Sequence, residues 1–188
     1  MCRHPISLRY PAIELLTAAL FTTGAMHFGI HWSLPAFLVL FAGLVALACT
    51  DLEHFLLPVR IVYPVLGLLA GLLFLAAAAT GEWRHLLTAV ACAALWFGAF
   101  FAINAINPRL LGFGDVRLVL IVGLGLGWLG VRFVFVGLFI SSFLGALIGI
   151  VLIAIKRVDR AKPIPYGVFL ALGTVIAIYL TPLIPARF

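Results

Sequence analysis

The chain has 188 residues, of which 65% are hydrophobic and only 10% are charged. A soluble domain is closer to half apolar and a quarter charged, so this composition excludes a water-soluble globular protein. The formal net charge is +6, but the basic residues lie in short connections between apolar runs instead of on one face. We therefore predict that the chain contacts membrane lipid and binds no nucleic acid.

Seven apolar segments predict an all-α fold, a polytopic helical bundle that crosses the membrane. A helix needs about 20 apolar residues to span the hydrocarbon, and six segments qualify as full spans. The fifth is short and carries Gly123, Gly125 and Gly127, which permit close helix contact or a half-span. No repeat or linker divides the chain, so residues 1–188 are predicted to form one transmembrane domain. In chain order, the segments cover residues 10–30, 34–50, 61–80, 86–106, 116–128, 131–155 and 166–183.

The basic residues also predict the orientation of the bundle. With seven crossings, alternate connections share one side of the membrane, and nine of the twelve lysines and arginines fall on the side of the N-terminus. The positive-inside rule then places the N-terminus in the cytoplasm. Three tryptophans fall at the opposite, outer boundary, as in an aromatic belt: Trp32, Trp83 and Trp128. The nine basic residues are Arg3, Arg9, Arg60, Arg109, Arg117, Lys156, Arg157, Arg160 and Lys162, and the other three are Arg84, Arg132 and Arg187.

Two of the six acidic residues stand at the ends of apolar segments. Asp51 follows an unbroken apolar run, and Asp115 lies in a Gly-x-Gly-Asp motif between the fourth and fifth segments. Each is a weak signal alone, since Asp51 is also typical of an interfacial acid and the short motif occurs by chance. Glu82 and Asp159 lie in polar connections and are predicted to be solvated.

Taken together, Asp51 and Asp115 predict a catalytic pair. The third segment crosses the membrane outward and the fourth returns, so both acids are expected on the same side at a similar depth. Two carboxylates close together in a poorly hydrated place share one proton, which is the arrangement an aspartyl protease needs. Gly112, Phe113 and Gly114 are predicted to form an active-site loop, because glycines allow close approach and conformations that side chains forbid.

Four separated stretches resemble conserved motifs of the type IV prepilin peptidases, which are intramembrane aspartyl proteases of the Gly-x-Gly-Asp type. Residues 112–118 resemble the Gly-x-Gly-Asp motif, and residues 51–58 resemble the motif of the first aspartate. The other two stretches resemble the segment that opens the peptidase core and the last span; they cover residues 5–17 and 163–173.

The resemblance implies that the enzyme removes the short basic leader of prepilins or pseudopilins at the cytoplasmic face of the bacterial inner membrane. Asp51 and Asp115 match the catalytic pair, and no cofactor or metal is expected, since the three cysteines have no metal-site spacing. Many members of the family also carry a cysteine-rich domain associated with methylation, and Cys2 resembles a remnant of it. We expect peptidase activity without self-contained methyltransferase activity.

Glu14 near the start of the first segment is a possible supporting residue. An acid at a helix start is stabilised by the helix dipole, which is one explanation for its position. The other explanation is that Glu14 is a buried partner of Arg9 or Arg60 and holds the first helix against the site.

Arg60, Glu53 and Arg117 are the remaining possible supporting residues, and the last two lie next to the two aspartates in sequence. Glu53 is either solvated, or it tunes the proton affinity of Asp51 or meets the basic leader. Arg117 is expected to pair with Asp115 or with a lipid phosphate.

Two other classes of protein remain open from the sequence. A proton-coupled transporter or channel also places paired acids in a membrane, although its acids more often lie near the middle of the bilayer, within repeated broken helices. A non-catalytic assembly subunit is the third class.

Overall fold

A computed structural model describes residues 8–108, 111–155 and 165–181, and the regular structure within these ranges is entirely α-helical. The all-α fold class is thereby confirmed. The described helices are α1 (Arg9–Phe28), α2 (Leu34–His54), α3 (Val59–Thr80), α4 (Trp83–Ile106), α5 (Phe113–Leu129), α6 (Val131–Ala154) and α7 (Tyr166–Tyr179).

Four of these helices are long and apolar enough to cross a membrane: α2, α3, α4 and the stretch Val131–Val151 of α6. Their outer faces carry large exposed apolar side chains, among them Phe74, Phe139 and Ile150. Exposed side chains of this kind need an apolar solvent, so the chain is a multi-pass membrane protein. Helices α5 and α7 are shorter, with 17 and 14 residues.

Several predicted boundaries differ from those of the helices, and two of the differences concern the aspartates. Helix α2 continues past Thr50 to His54, so Asp51 lies inside the helix and not after it. Helix α5 begins at Phe113 instead of at residue 116. A charged residue ends an apolar run, but it does not break backbone hydrogen bonds, and these continue through both aspartates.

Helix α5 lies at the centre of the described bundle and contacts α2, α3, α4, α6 and α7. Every residue from 121 to 128 is buried. The close approach of α4 depends on glycine, because a Cβ atom on Gly123 would lie 2.6 Å from the Cα atom of Ala93, and one on Gly127 would lie 2.8 Å from the Cα atom of Ala89. The prediction that the glycine-rich segment packs closely is confirmed.

The opposite end of the bundle, away from the aspartates, contains two neighbouring cavities of about 550 and 380 Å³. Trp128 lines both cavities, is only 4% exposed and packs 5.7 Å from the ring of His85. It therefore faces the protein interior, so its assignment to a lipid-facing aromatic belt was wrong. Trp32 and Trp83 are exposed.

Candidate aspartyl active site

Asp51 is buried in the last turn of α2, with 5% of its surface exposed. The backbone amides of Gly167 and Val168, in the first turn of α7, face its carboxylate. Its Oδ2 atom is fully buried and has no hydrogen-bond partner among the described residues. A buried acceptor without a partner is costly to maintain.

The chain turns four residues after Asp51, where α2 ends. Phe55 caps α2 in the left-handed conformation, with φ of 52°, and its amide donates to the carbonyl of Asp51 at 2.9 Å. This conformation is uncommon for a bulky side chain. The turn folds the following residues back toward the bundle, and Leu57 becomes buried while Leu56 stays exposed.

Asp115 is the third residue of α5 and is 9% exposed. Its backbone amide donates to the carbonyl of Gly112 at 3.1 Å, and its carboxylate faces the amide of Gly112 in return. An acid at this position of a helix satisfies a free amide and is favoured by the helix dipole. The sequence Gly-Phe-Gly-Asp therefore forms a helix start that fixes the carboxylate.

The prediction of an active-site loop at residues 112–114 was wrong in one respect. Phe113 and Gly114 are the first two residues of α5, and only Gly112 precedes the helix. Neither glycine has a positive φ, so their conformational freedom is not used. Gly114 instead allows Leu57 to pack closely against α5, because a Cβ atom on Gly114 would lie 3.0 Å from the Cβ atom of Leu57.

The two aspartates meet at one end of the bundle, as predicted. The charge of Asp51 acts directly on the carboxyl group of Asp115. Leu57 lies beside both, in contact with Gly114 on α5 and with Gly167 on α7. Helices α2, α5 and α7 thus converge on one buried site that holds two carboxylates.

Sequence reasoning missed two parts of this site, Leu57 and the first turn of α7. Tyr166 in that turn interacts electrostatically with Asp115, and its hydroxyl lies 3.1 Å from the hydroxyl of Ser142 on α6. The motif at residues 163–173 signalled that this stretch matters, but a linear motif does not say which side chain it meets. Pro163 and Ile164 of that motif lie outside the described residues.

The residues expected to support the site lie at the same end of the bundle as the aspartates. Among the described residues, the ion pairs considered for Glu14 and Arg117 are not observed. Glu14 is exposed on α1 and makes no ion pair with Arg9 or Arg60, so the explanation that it is a buried partner of one of them was wrong. Arg9 instead pairs with Glu53 at 3.2 Å, and both side chains are largely exposed. Arg60 is exposed at the start of α3.

Arg117 contacts Phe113 instead of Asp115. Its guanidinium carbon lies 4.5 Å from the centre of the Phe113 ring, a cation–π contact. Its Nε atom is buried without a hydrogen-bond partner among the described residues. The expected pairing with Asp115 is absent from the described part of the chain.

The Arg9–Glu53 pair is expected to contribute little. Exposed ion pairs stabilise proteins by less than about 1 kcal/mol, so Glu53→Gln should leave the thermal unfolding temperature in detergent and the activity close to wild type. A loss of activity above tenfold, with unchanged stability, would instead assign Glu53 to the reaction.

The chain is similar to a known protein family and to several of its members. A model of the type IV leader peptidase family matches residues 38–150. The chain is 36% identical over 184 residues to a prepilin leader peptidase/N-methyltransferase of Aeromonas hydrophila, covering 94% of this chain and 60% of that protein. The protein of the same name from Bacillus subtilis is 32% identical over 176 residues, covering 94% of this chain and 68% of the relative. No solved structure matches.

Proposed function

This chain belongs to the type IV leader peptidase family, and from that premise we propose that it is an aspartyl endopeptidase. Its proposed substrates are type IV prepilins or pseudopilins, from which it removes the short basic leader. The chain spans about 60% of the length of the Aeromonas relative, so the proposal concerns the peptidase reaction alone. The matched relatives are named as leader peptidases, which gives the transporter alternative no support.

The observation that carries the proposal is the electrostatic interaction between two buried carboxylates from distant parts of the chain. Asp51 and Asp115 are 5% and 9% exposed and interact electrostatically. A carboxylate is rarely buried unless it is paired with an opposite charge or has a chemical role. No described cation forms an ion pair with either one, so the pair is maintained at a cost that a purely structural role does not explain.

The chemistry of such a pair is proton transfer. With one proton shared between the carboxyl groups, the ionised member removes a proton from water while the water oxygen attacks the scissile carbonyl carbon. The protonated member gives its proton to the carbonyl oxygen. The member that took the proton from water then gives it to the amide nitrogen, and the carbon–nitrogen bond breaks. As the diol intermediate collapses to a carboxylic acid, one of its hydroxyl groups returns a proton to the other member, so the pair is singly protonated again.

We also propose that the aspartates lie at the cytoplasmic face of the bacterial inner membrane, within one transmembrane domain. Among the described arginines, Arg9, Arg60 and Arg117 belong to the end of the bundle that holds the aspartates, and Arg84 and Arg132 line a cavity at the other end. This distribution favours the cytoplasm for the aspartate end. The remaining residues of the charge count lie outside the described residues: Arg3, Arg109, Lys156, Arg157, Arg160, Lys162 and Arg187.

This location suits a substrate with an apolar helix behind a basic leader. The helix enters sideways from lipid, and the leader stays among the headgroups, so the bond to be cut lies near the membrane boundary. A helical peptide bond is shielded by its own hydrogen bonds, so the junction has to become extended before the pair can reach it.

The test is cleavage of a purified prepilin by the purified chain in detergent, followed by mass spectrometry of the products. We expect one cut, at the junction between the basic leader and the apolar helix. A full-length relative that cuts the same substrate serves as the positive control. No product from this chain, under conditions in which the relative cuts completely, would contradict the proposal.

A further inference from the structure

The first turn of α7 meets Asp51 more closely than any side chain would allow. A Cβ atom on Gly167 would lie 2.8 Å from the Oδ2 atom of Asp51 and 3.2 Å from the Cδ1 atom of Leu57. Cβ atoms essentially never lie as close as 2.8 Å to another heavy atom, and 3.2 Å is a tight contact, so any residue larger than glycine has to displace the carboxylate. Gly167 does not have a positive φ, and its role is therefore space and not backbone conformation.

The space at Gly167 brings the Asp51 carboxylate to the amino end of α7. The first amides of a helix have no partner within the helix, and they carry the positive end of its dipole. Gly167 and Val168 supply two such amides, and both face Asp51. Asp51 is more than nine-tenths buried, so amides that face its carboxylate offset part of the cost of burying a negative charge.

From these contacts we infer that Gly167 is a positioning residue, which lets the amino end of α7 hold the Asp51 carboxylate in place for the reaction with Asp115. The catalytic consequence of this inference rests on the proposed peptidase function. The contact between Gly167 and Asp51 does not depend on that function. Gly167 acts through Asp51, and no contact between Gly167 and the substrate is required.

The first test compares Gly167→Ala with Gly71→Ala in cleavage of a prepilin. A Cβ atom on Gly71, in α3, would meet nothing within 4 Å, so this variant controls for the change from glycine to alanine in a helix. A displacement of about 1 Å at a reacting group costs about 10²-fold in rate. We expect Gly167→Ala to lower kcat by that factor with KM nearly unchanged, and Gly71→Ala to match wild type. A rise in KM with kcat unchanged would overturn the inference.

A second variant separates the contact with Asp51 from the contact with Leu57. If alanine at position 167 acts by crowding Leu57, then Leu57→Ala provides the missing space and restores kcat in the double variant. If it acts by displacing Asp51, the double variant keeps the loss relative to Leu57→Ala alone. We expect the second result, and full restoration would overturn the inference.

A stability measurement tests the same contact without any activity. Thermal unfolding in detergent is compared for Gly167→Ala in the wild-type chain and in an Asp51→Ala chain, where the displaced carboxylate is absent. We expect alanine at position 167 to lower the unfolding temperature clearly in the wild-type chain and less in the Asp51→Ala chain. Equal decreases in both would refute the contact. A positive result here with no cleavage by the wild-type chain would leave the contact valid and reject the peptidase function instead.

Discussion

Asp51→Asn and Asp115→Asn should each reduce leader cleavage by about 10²- to 10⁴-fold, the range that a general acid or base contributes. Asparagine has nearly the same shape as aspartate, so packing is preserved. It neither takes a proton from water nor returns one to the pair. The measurement is the rate of product formation with a purified prepilin, by mass spectrometry.

The two aspartates should also behave as one unit. Residues that act together in one step are strongly non-additive, because removing either already abolishes the step. We therefore expect the double variant to be no slower than the slower single variant. Glu82→Gln is the matched control, since Glu82 lines the cavities at the opposite end of the bundle and should retain wild-type activity. Near-normal cleavage by either single variant would end the assignment of that residue.

Gly123→Ala is expected to have the largest effect on stability. The added Cβ atom would lie 2.6 Å from the Cα atom and 2.9 Å from the amide nitrogen of Ala93. These are backbone atoms that no rotamer change can move, so α4 and α5 would have to separate. Overpacking of this kind costs about 1–3 kcal/mol, and we expect a clear decrease in thermal unfolding temperature in detergent.

Gly98→Ala on α4 is the control for that experiment. Nothing lies within 4 Å of a Cβ atom at Gly98, and alanine is the better helix former by about 1 kcal/mol. Its unfolding temperature should equal or exceed that of wild type. If Gly123→Ala were as stable as Gly98→Ala, the close contact between α4 and α5 would not exist in the folded protein.

For the aspartate pair, the sequence predicted the side of the membrane but not the helix ends. The apolar runs between Asp51 and Asp115 imply one crossing out and one crossing back, which places both acids on the same side. The sequence did not predict the ends of these helices to within one turn. Asp51 and Asp115 interrupt the hydropathy pattern but not the helices, because the backbone hydrogen bonds of a helix continue past a charged side chain.

The supporting residues illustrate the opposite case. The sequence allowed Glu14 to pair with Arg9 or Arg60, and Arg117 to pair with Asp115. Arg117 lies on the Phe113 ring, while Glu14 and Arg60 are exposed. Charged side chains near a membrane surface have water and headgroups as alternative partners, so proximity in sequence does not determine pairing.

The sequence alone determined that this is a membrane protein, because its composition is too apolar for a water-exposed surface. It also distinguished Asp51 and Asp115 from the other acidic residues. The tertiary structure alone decided what surrounds them. Helix α5 is apolar on every side, so no pattern in its residues shows which neighbour it packs against. Asp51 meets the amides of α7 only because Gly167 leaves room for it, a fact about space between helices that no linear motif encodes.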